Sequence, residues 1–189
     1  MKNLIKIGLV SIITAGSLFA GTYNVDTTHS NVGFKVKHMM ISNVVGKFDK
    51  FNGSFEYDEK TKTLKSLTGN IDVNSINTEN EKRDGHLKSK DFFDAKKFPK
   101  LTFKLEKVKD DKAYGVLTMK GVSKDVVLDF ENNGIITDPW GNQRVGLEFS
   151  GKINRKDFGL NWNKTLEAGG VVVSEKVKLN IQVEGIKAK

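Results

Sequence analysis

A chain of 189 residues with two Pro, 18 Gly and 38% apolar side chains has the length of one domain and enough apolar content for a sizeable core. The absence of Cys excludes disulfide scaffolds, thiolate metal sites and cysteine nucleophiles. The formal charge of +8 is dispersed, with basic runs no longer than Lys96-Lys97 and no aromatic–basic interleaving, which excludes nucleic acid as a partner.

The first residues read as an export signal. Lys2 and Lys6 head an uncharged apolar or small stretch from Ile7 to Ala20, and the chain turns polar from Gly21. As a helix this stretch spans about 21 Å, short of a bilayer core of about 30 Å, so a signal peptide is expected over residues 1–20, with the functional domain over 21–189. Cleavage after Ala20 removes Lys2 and Lys6 and no acid, lowering the charge from +8 to +6. That surplus favours transient contact with an anionic membrane surface.

Thr22 to Asp26 is a short strand candidate, and Ser30 to His38 alternates Val32, Phe34, Val36 and His38 against polar neighbours. Lys47 to Tyr57 carries Phe51, Phe55 and Tyr57 on one parity and Phe48 on the other, and Gly53 between them predicts a bulge or sharp bend. Leu64 to Ile76 separates Leu67, Gly69, Ile71 and Val73 from Thr68, Asn70, Asp72 and Asn74. Thr78 followed by Glu81 has the form of a capping box, predicting a short exposed helix over Asn80 to Lys88. Asp91 to Ala95 predicts a further helical turn whose Phe92 and Phe93 plug something apolar, stopped by Pro99.

From Lys100 the strands return. Their apolar parities are Leu101, Phe103, Leu105; Leu117, Met119; Val126, Leu128, Phe130; Val145, Leu147, Phe149, Ile153; and Val177, Leu179, Ile181, Val183. Turns at Lys109–Lys112, Gly121 and Asp138–Asn142 separate them. These signals define an all-β, eight-stranded antiparallel up-and-down barrel with a short helical insertion between strands 3 and 4. Closure removes exposed edges that strands this long would otherwise offer for aggregation. A two-sheet sandwich with a solid core is the alternative. An outer-membrane barrel is disfavoured, because the polar parity holds Lys35, Lys37, Lys104, Glu106, Glu148, Lys152 and Lys178, and lysine facing lipid at the midplane costs about 2–4 kcal/mol.

Catalytic signals are absent: there is no G-x-S-x-G, no H-E-x-x-H and no glycine-rich phosphate loop opening a helix. His29 and His38 lie roughly 30 Å apart along a straight strand and cannot share a metal without a fold-back, so the metal reading is weak. No catalytic group, metal or cofactor is therefore expected. The inward parity instead supplies a ligand-binding wall of Phe34, Val36, His38, Phe55, Ile71, Phe103, Leu105, Leu117, Met119, Leu128, Leu147, Phe149, Leu179 and Ile181. Two polar clusters, Arg83-Asp84-x-His86 and Arg155-x-Asp157, are either surface ion pairs pinning loops or a polar rim at the mouth that holds a headgroup.

The motifs His29-Ser30-x-Val32-x-Phe34-x-Val36-x-His38-Met39, Gly46-x-Phe48-x-x-Phe51-x-Gly53, Arg83-Asp84-x-His86-Leu87, Asp91-Phe92-Phe93, Gly115-x-Leu117-Thr118-x-Lys120-Gly121 and Arg155-x-Asp157-Phe158-Gly159 together resemble the YceI family, in order and over essentially the whole mature chain. The resemblance implies a periplasmic, lipocalin-like barrel that holds a polyisoprenoid, a quinone or a fatty-chain lipid as ligand. The apolar wall supplies a physical reason. Each methylene taken from water is worth about 0.8 kcal/mol, so some twenty buried carbons gain roughly 16 kcal/mol before ordering and association costs. The expected function is a non-enzymatic carrier. The alternatives are a hydrolase or isomerase acting on such a lipid through His38 or the Arg83, Asp84, His86 cluster, and a solid-core interaction module. A homodimer is left open.

Overall fold

The computed structural model describes residues 20–167 and 169–189; the export-signal expectation, apart from Ala20, falls outside them. The strands are β1 (Ala20–Val25), β2 (Asn31–His38), β3 (Ser42–Phe48), β4 (Phe51–Asp58), β5 (Thr63–Asp72), β6 (Ile76–Asn77), β7 (Lys100–Lys109), β8 (Lys112–Met119), β9 (Val122–Thr137), β10 (Gln143–Asn154) and β11 (Val173–Lys187), with α-helix α1 (Glu81–Lys88) and two short 3-10 turns, Val73–Ser75 and Arg155–Phe158. The order β1-β4-β5-β7-β8-β9-β10-β11 closes through a β1–β11 pairing, and β2, β3 and β6 continue the sheet from the other stretch of β11.

Register turns this list into eight staves. β11 pairs with β1 near Gly185 and with β2 from Gln182 to Val173, so β1 and β2 are one interrupted strand lying along it. In the same way β4 pairs with β1 and β3 with β2, while β5 pairs with β4 and β6 with β3. All pairings are antiparallel, and the result is a closed meander with α1 between the third and fourth staves.

The first three staves break because a residue parity must be reset. Phe48 is inward and buried, as are Phe55 and Tyr57, although Phe48 has the opposite parity in sequence. The break at Asp49-Lys50 reconciles them, and it is stitched to the break between β5 and β6: the Asp49 and Lys50 amides donate to the carbonyl (3.1 Å) and hydroxyl (2.9 Å) of Ser75. The bend expected at Gly53 therefore lies three to four residues earlier, at Asp49-Lys50. Gly53 serves another purpose, since a Cβ there would sit 2.5 Å from the Thr68 carbonyl oxygen.

Helix α1 also starts differently from the expected capping box. Asn80 is the N-cap, accepting from the Arg83 amide (2.9 Å), while Thr78 is gripped by Asp84, whose Oδ1 accepts from the Thr78 amide at 3.0 Å. Residues 91–98 form hydrogen-bonded turns in place of the expected helical turn, and Phe92 does pack into the core. Outward positions Lys35, Lys37, Lys104, Glu106, Lys152 and Lys178 are exposed, so the charged parity faces solvent. Among the described residues no helix is long and apolar enough to cross a membrane.

Candidate functional site: an apolar bore with a basic mouth

The interior changes character along its axis. At the end where β1 begins and β11 finishes, Tyr23, Phe55 and Tyr57 are almost wholly buried with Leu64, Leu105, Ala113, Val145 and Leu147. Tyr23 stacks on Phe55 with centroids 5.3 Å apart, and Tyr57 meets Tyr23 edge-on at 6.2 Å. The two hydroxyls reach the rim, where Tyr23 donates to Glu59 (3.1 Å) and Tyr57 accepts from Asn132 Nδ2 (3.0 Å). Burial, reinforced by the Glu59 carboxylate, pushes the Tyr23 phenol well above its ordinary range, so it stays a neutral donor. This end is a solid floor.

Above it lie two adjoining apolar chambers of about 90 Å³ and about 120 Å³. Val32, Ile71, Leu117, Leu179 and Ile181 border both, which makes them the waist of a single bore. The lower chamber adds Phe103, Leu128 and Phe149, and the upper adds Phe34, Val36, Met119, Phe92, Phe93 and Val177. Of the residues expected to line a ligand wall, Phe55, Leu105 and Leu147 sit in the floor and on neither chamber. His38 stands higher still, in the mouth.

Among the described residues, Arg155 is the single charged side chain on the chamber walls. It is 3% exposed and spends its donors on carbonyls: Nε to Ser174 (2.9 Å), Nη2 to Val173 (3.2 Å) and Nη1 to Leu160. No carboxylate pairs with it, and burial pulls the guanidinium below its ordinary range. It staples Leu160 to Val173 and Ser174 across the top of the barrel. Asp157, two residues on, is exposed and does not meet it.

The mouth is a cleft of about 420 Å³ that shares Phe34, Val36, Leu87, Phe92 and Val173 with the upper chamber. Its polar lining is Lys37, His38, Asn80, Lys82, Arg83 and His86, with Trp162 beside them, and it includes no carboxylate, hydroxyl or thiol. His86 meets Trp162 and Phe92 edge-on at 4.9 and 5.1 Å, and its Nε2 contacts Asp91 Oδ2 at 3.0 Å. Arg83 is positioned through Thr78, donating Nε to the hydroxyl (2.7 Å) and Nη2 to the carbonyl (2.7 Å). Asp84 binds the same threonine, so the expected Arg83–Asp84 ion pair is replaced by a shared grip on Thr78, and Asp84 lies off the cleft.

Periodicity misses Trp162, which lies outside the strands, and Lys37 and Lys82, which look like ordinary surface lysines in sequence. The Phe92-Phe93 pair was the one available signal. A separate cluster, Asp26, His29 and Glu184, has carboxylate and imidazole atoms within 4.8 Å of one another. The Arg144 guanidinium already serves it, with Nη1 2.9 Å from Asp26 and 2.5 Å from Glu184.

A closed antiparallel meander with a sealed floor, an apolar bore and one polar mouth is the architecture of a small-ligand-binding β-barrel. The YceI-like domain model matches residues 23–185, and the chain belongs to that family. A UPF0312 protein of Staphylococcus aureus (strain N315) is 40% identical over 163 residues, covering 86% of this chain and 95% of that protein. Among solved structures, the YCEI protein of Campylobacter jejuni is 39% identical with a TM-score of 0.70, covering 87% of this chain and 96% of that one. A polyisoprenoid binding domain from Saccharophagus degradans, implicated in plant cell wall breakdown, shares the fold at 18% identity and a TM-score of 0.66, over 88% of this chain and 98% of that one.

Proposed function

We propose that this protein binds a long-chain isoprenoid lipid, a prenyl quinone or polyprenyl phosphate, or a similar fatty-chain amphiphile, and carries it in the periplasm after removal of residues 1–20. The observation that carries this reading is the bore itself, apolar on every stave from floor to mouth with Arg155 its one charge. Such a wall has no donor array for a sugar or peptide and gains about 0.8 kcal/mol for each methylene it takes from water. The tail enters first, and the basic cleft of Lys37, Lys82 and Arg83 receives an anionic or polar headgroup. The chambers are narrower than the roughly 300–1,000 Å³ typical of drug-sized pockets, so a long chain must displace side chains at the waist. Met119, unbranched and buried beside the upper chamber, is suited to yield.

No cofactor enters this reading, and the lipid is cargo. Solvent extraction and mass spectrometry of protein purified from an exporting host, followed by titration with a prenyl quinone, test it. Recovery or uptake of a prenyl or fatty-chain lipid is expected; a protein that extracts clean and takes up none would sink the reading. A catalytic reading draws on one observation, that His38, Arg83 and His86 share the cleft. With no hydroxyl, thiol or carboxylate on the same wall, the cleft is better built for holding a headgroup than for attacking one. Unchanged lipid recovered from His86→Ala and wild type alike is the expected outcome.

A further inference from the structure

The hairpin joining β2 and β3 bears an unusual tip. Met39 and Met40 both have left-handed backbones, φ 47° and 64°, and the Ile41 amide closes the turn on the His38 carbonyl at 3.2 Å. Two consecutive left-handed residues are the geometry for which Asn-Gly is strongly preferred, and a non-glycine residue there carries strain. This chain instead places three large apolar side chains at the tip, 42%, 53% and 86% exposed for Met39, Met40 and Ile41, with Val45 at 65% behind them. A turn that accepts backbone strain and apolar exposure together is explained by neither folding nor solubility.

Its surroundings specify the partner. From Asn31 to Phe48 the hairpin carries Lys35, Lys37 and Lys47 and no carboxylate, and Lys37 Nζ reaches the Met40 carbonyl (3.4 Å) directly behind the tip. Apolar groups projecting ahead of lysines match the boundary of an anionic bilayer, where the former enter the acyl region and the latter stay among headgroups. The other exposed apolar side chains, Val127, Ile136 and Trp140, belong to β9 and the turn at the floor end. The tip is rigidly tied to the mouth: the Met39 amide donates to the Val172 carbonyl (2.8 Å), and Lys37, His38, Val44 and Val172 all border the mouth cleft.

We propose that Met39-Met40-Ile41 is a docking knuckle by which the protein seats its mouth on an anionic lipid bilayer. The proposal rests on the lipid-carrier reading for its purpose, and on the hairpin alone for its geometry. The test uses vesicles of phosphatidylethanolamine and phosphatidylglycerol that contain no prenyl lipid, beside vesicles of phosphatidylcholine. Wild-type protein is expected to sediment with the former, less with the latter, and less at raised salt. The triple substitution Met39→Asn, Met40→Gly, Ile41→Ser should cut partitioning at least about tenfold, and melt no lower than wild type, because it installs the residues this turn prefers. Ile41→Ser alone should lower partitioning in the same direction with the turn backbone untouched.

Equal partitioning of wild type and triple variant overturns the proposal, as does wild type that ignores anionic vesicles. Sedimentation showing a wild-type dimer that the triple variant dissociates, without vesicle binding, would assign the patch to a second copy and overturn it too. Uptake of a prenyl quinone from dilute ethanol, measured on both proteins, separates the two readings. Docking without uptake sinks the carrier and leaves the knuckle standing; uptake without docking does the reverse.

Discussion

Phe34 lies across Gly46, its partner in the β2–β3 register, so closely that a Cβ at Gly46 would run into the ring. The same device recurs where Phe55 covers Gly185 and Phe103 covers Gly115. Each glycine lets an aromatic ring lie flat against the barrel wall, which sets how much of the cross-section remains for a bore.

Gly46→Ala should therefore push the Phe34 ring inward or force β2 from β3, costing about 1–3 kcal/mol of stability and reducing prenyl uptake. Gly69→Ala is the matched control for stability, because nothing lies within 4 Å of a Cβ there, but not for uptake, since Gly69 borders the lower chamber. Denaturant titration of the pair, with uptake by Gly46→Ala measured against wild type, checks this, and equal stability would mean that Phe34 has room to turn elsewhere.

Leu179 borders both chambers. Leu179→Phe fills the waist at an overpacking cost of about 1–3 kcal/mol. Uptake of long prenyl chains should fall while geraniol, short enough for the upper chamber, is retained. By contrast Lys104→Glu, exposed on the outer face of β7, should leave stability and uptake nearly unchanged.

Arg155 is expected to be costly to remove. Arg155→Leu removes the donor of the Leu160 and Ser174 carbonyls and one of the two donors of the Val173 carbonyl, which keeps Asn163 Nδ2, a loss of about 3 kcal/mol. Arg155→Lys keeps the charge but cannot reach three carbonyls with a planar fork, and should recover only part of it. Chemical denaturation of the three proteins gives the order directly.

The floor end carries an acid-sensitive clamp. Arg144 donates Nε to Asp138 (2.6 Å) and Nη1 to Asp26 (2.9 Å) and Glu184, tying the 138–142 turn, β10, β11 and the β1–β2 connection together. Arg144 beside it, with the amides of Trp140 and Asn142, holds the Asp138 carboxyl down to about 2. Hydrogen bonds from Thr28 and His29, with Arg144 adding to them, hold Asp26 well below the carboxylate range. Both folded values lie below the unfolded value of 3.8, so this stabilisation is complete above roughly pH 5 and is lost as pH falls toward 2. Arg144→Gln should shift the acid-unfolding midpoint upward, on the order of one pH unit, with little change in its slope near neutrality. A midpoint that does not move would show the clamp to be idle.

The barrel was legible because period-two alternation from Lys100 onward is nearly unbroken, and one buried face with one charged face fixes strand orientation. The first half was harder. Phe48 and Phe55 conflict in parity, and only the Ser75 stitch across the third stave shows where the strand must break. The site was legible as a class of surface but not as a volume. Alternation marks Leu105 and Phe149 equally as inward, yet one packs into the floor and the other borders a chamber, a difference set by neighbours on distant strands. Sequence adjacency marks Arg83 and Asp84 as a pair, and the shared grip on Thr78 that positions them leaves no trace in residue spacing.

The Tyr23, Phe55 and Tyr57 floor makes the barrel a blind tube. On the carrier reading proposed above, cargo could not thread through from donor to acceptor and would have to back out tail-last through the door it entered. Loading and delivery would then compete for the same face of the protein, so whatever accepted the lipid would have to recognise the side on which it was picked up, and the direction of transfer would be set by which partner holds that face longer.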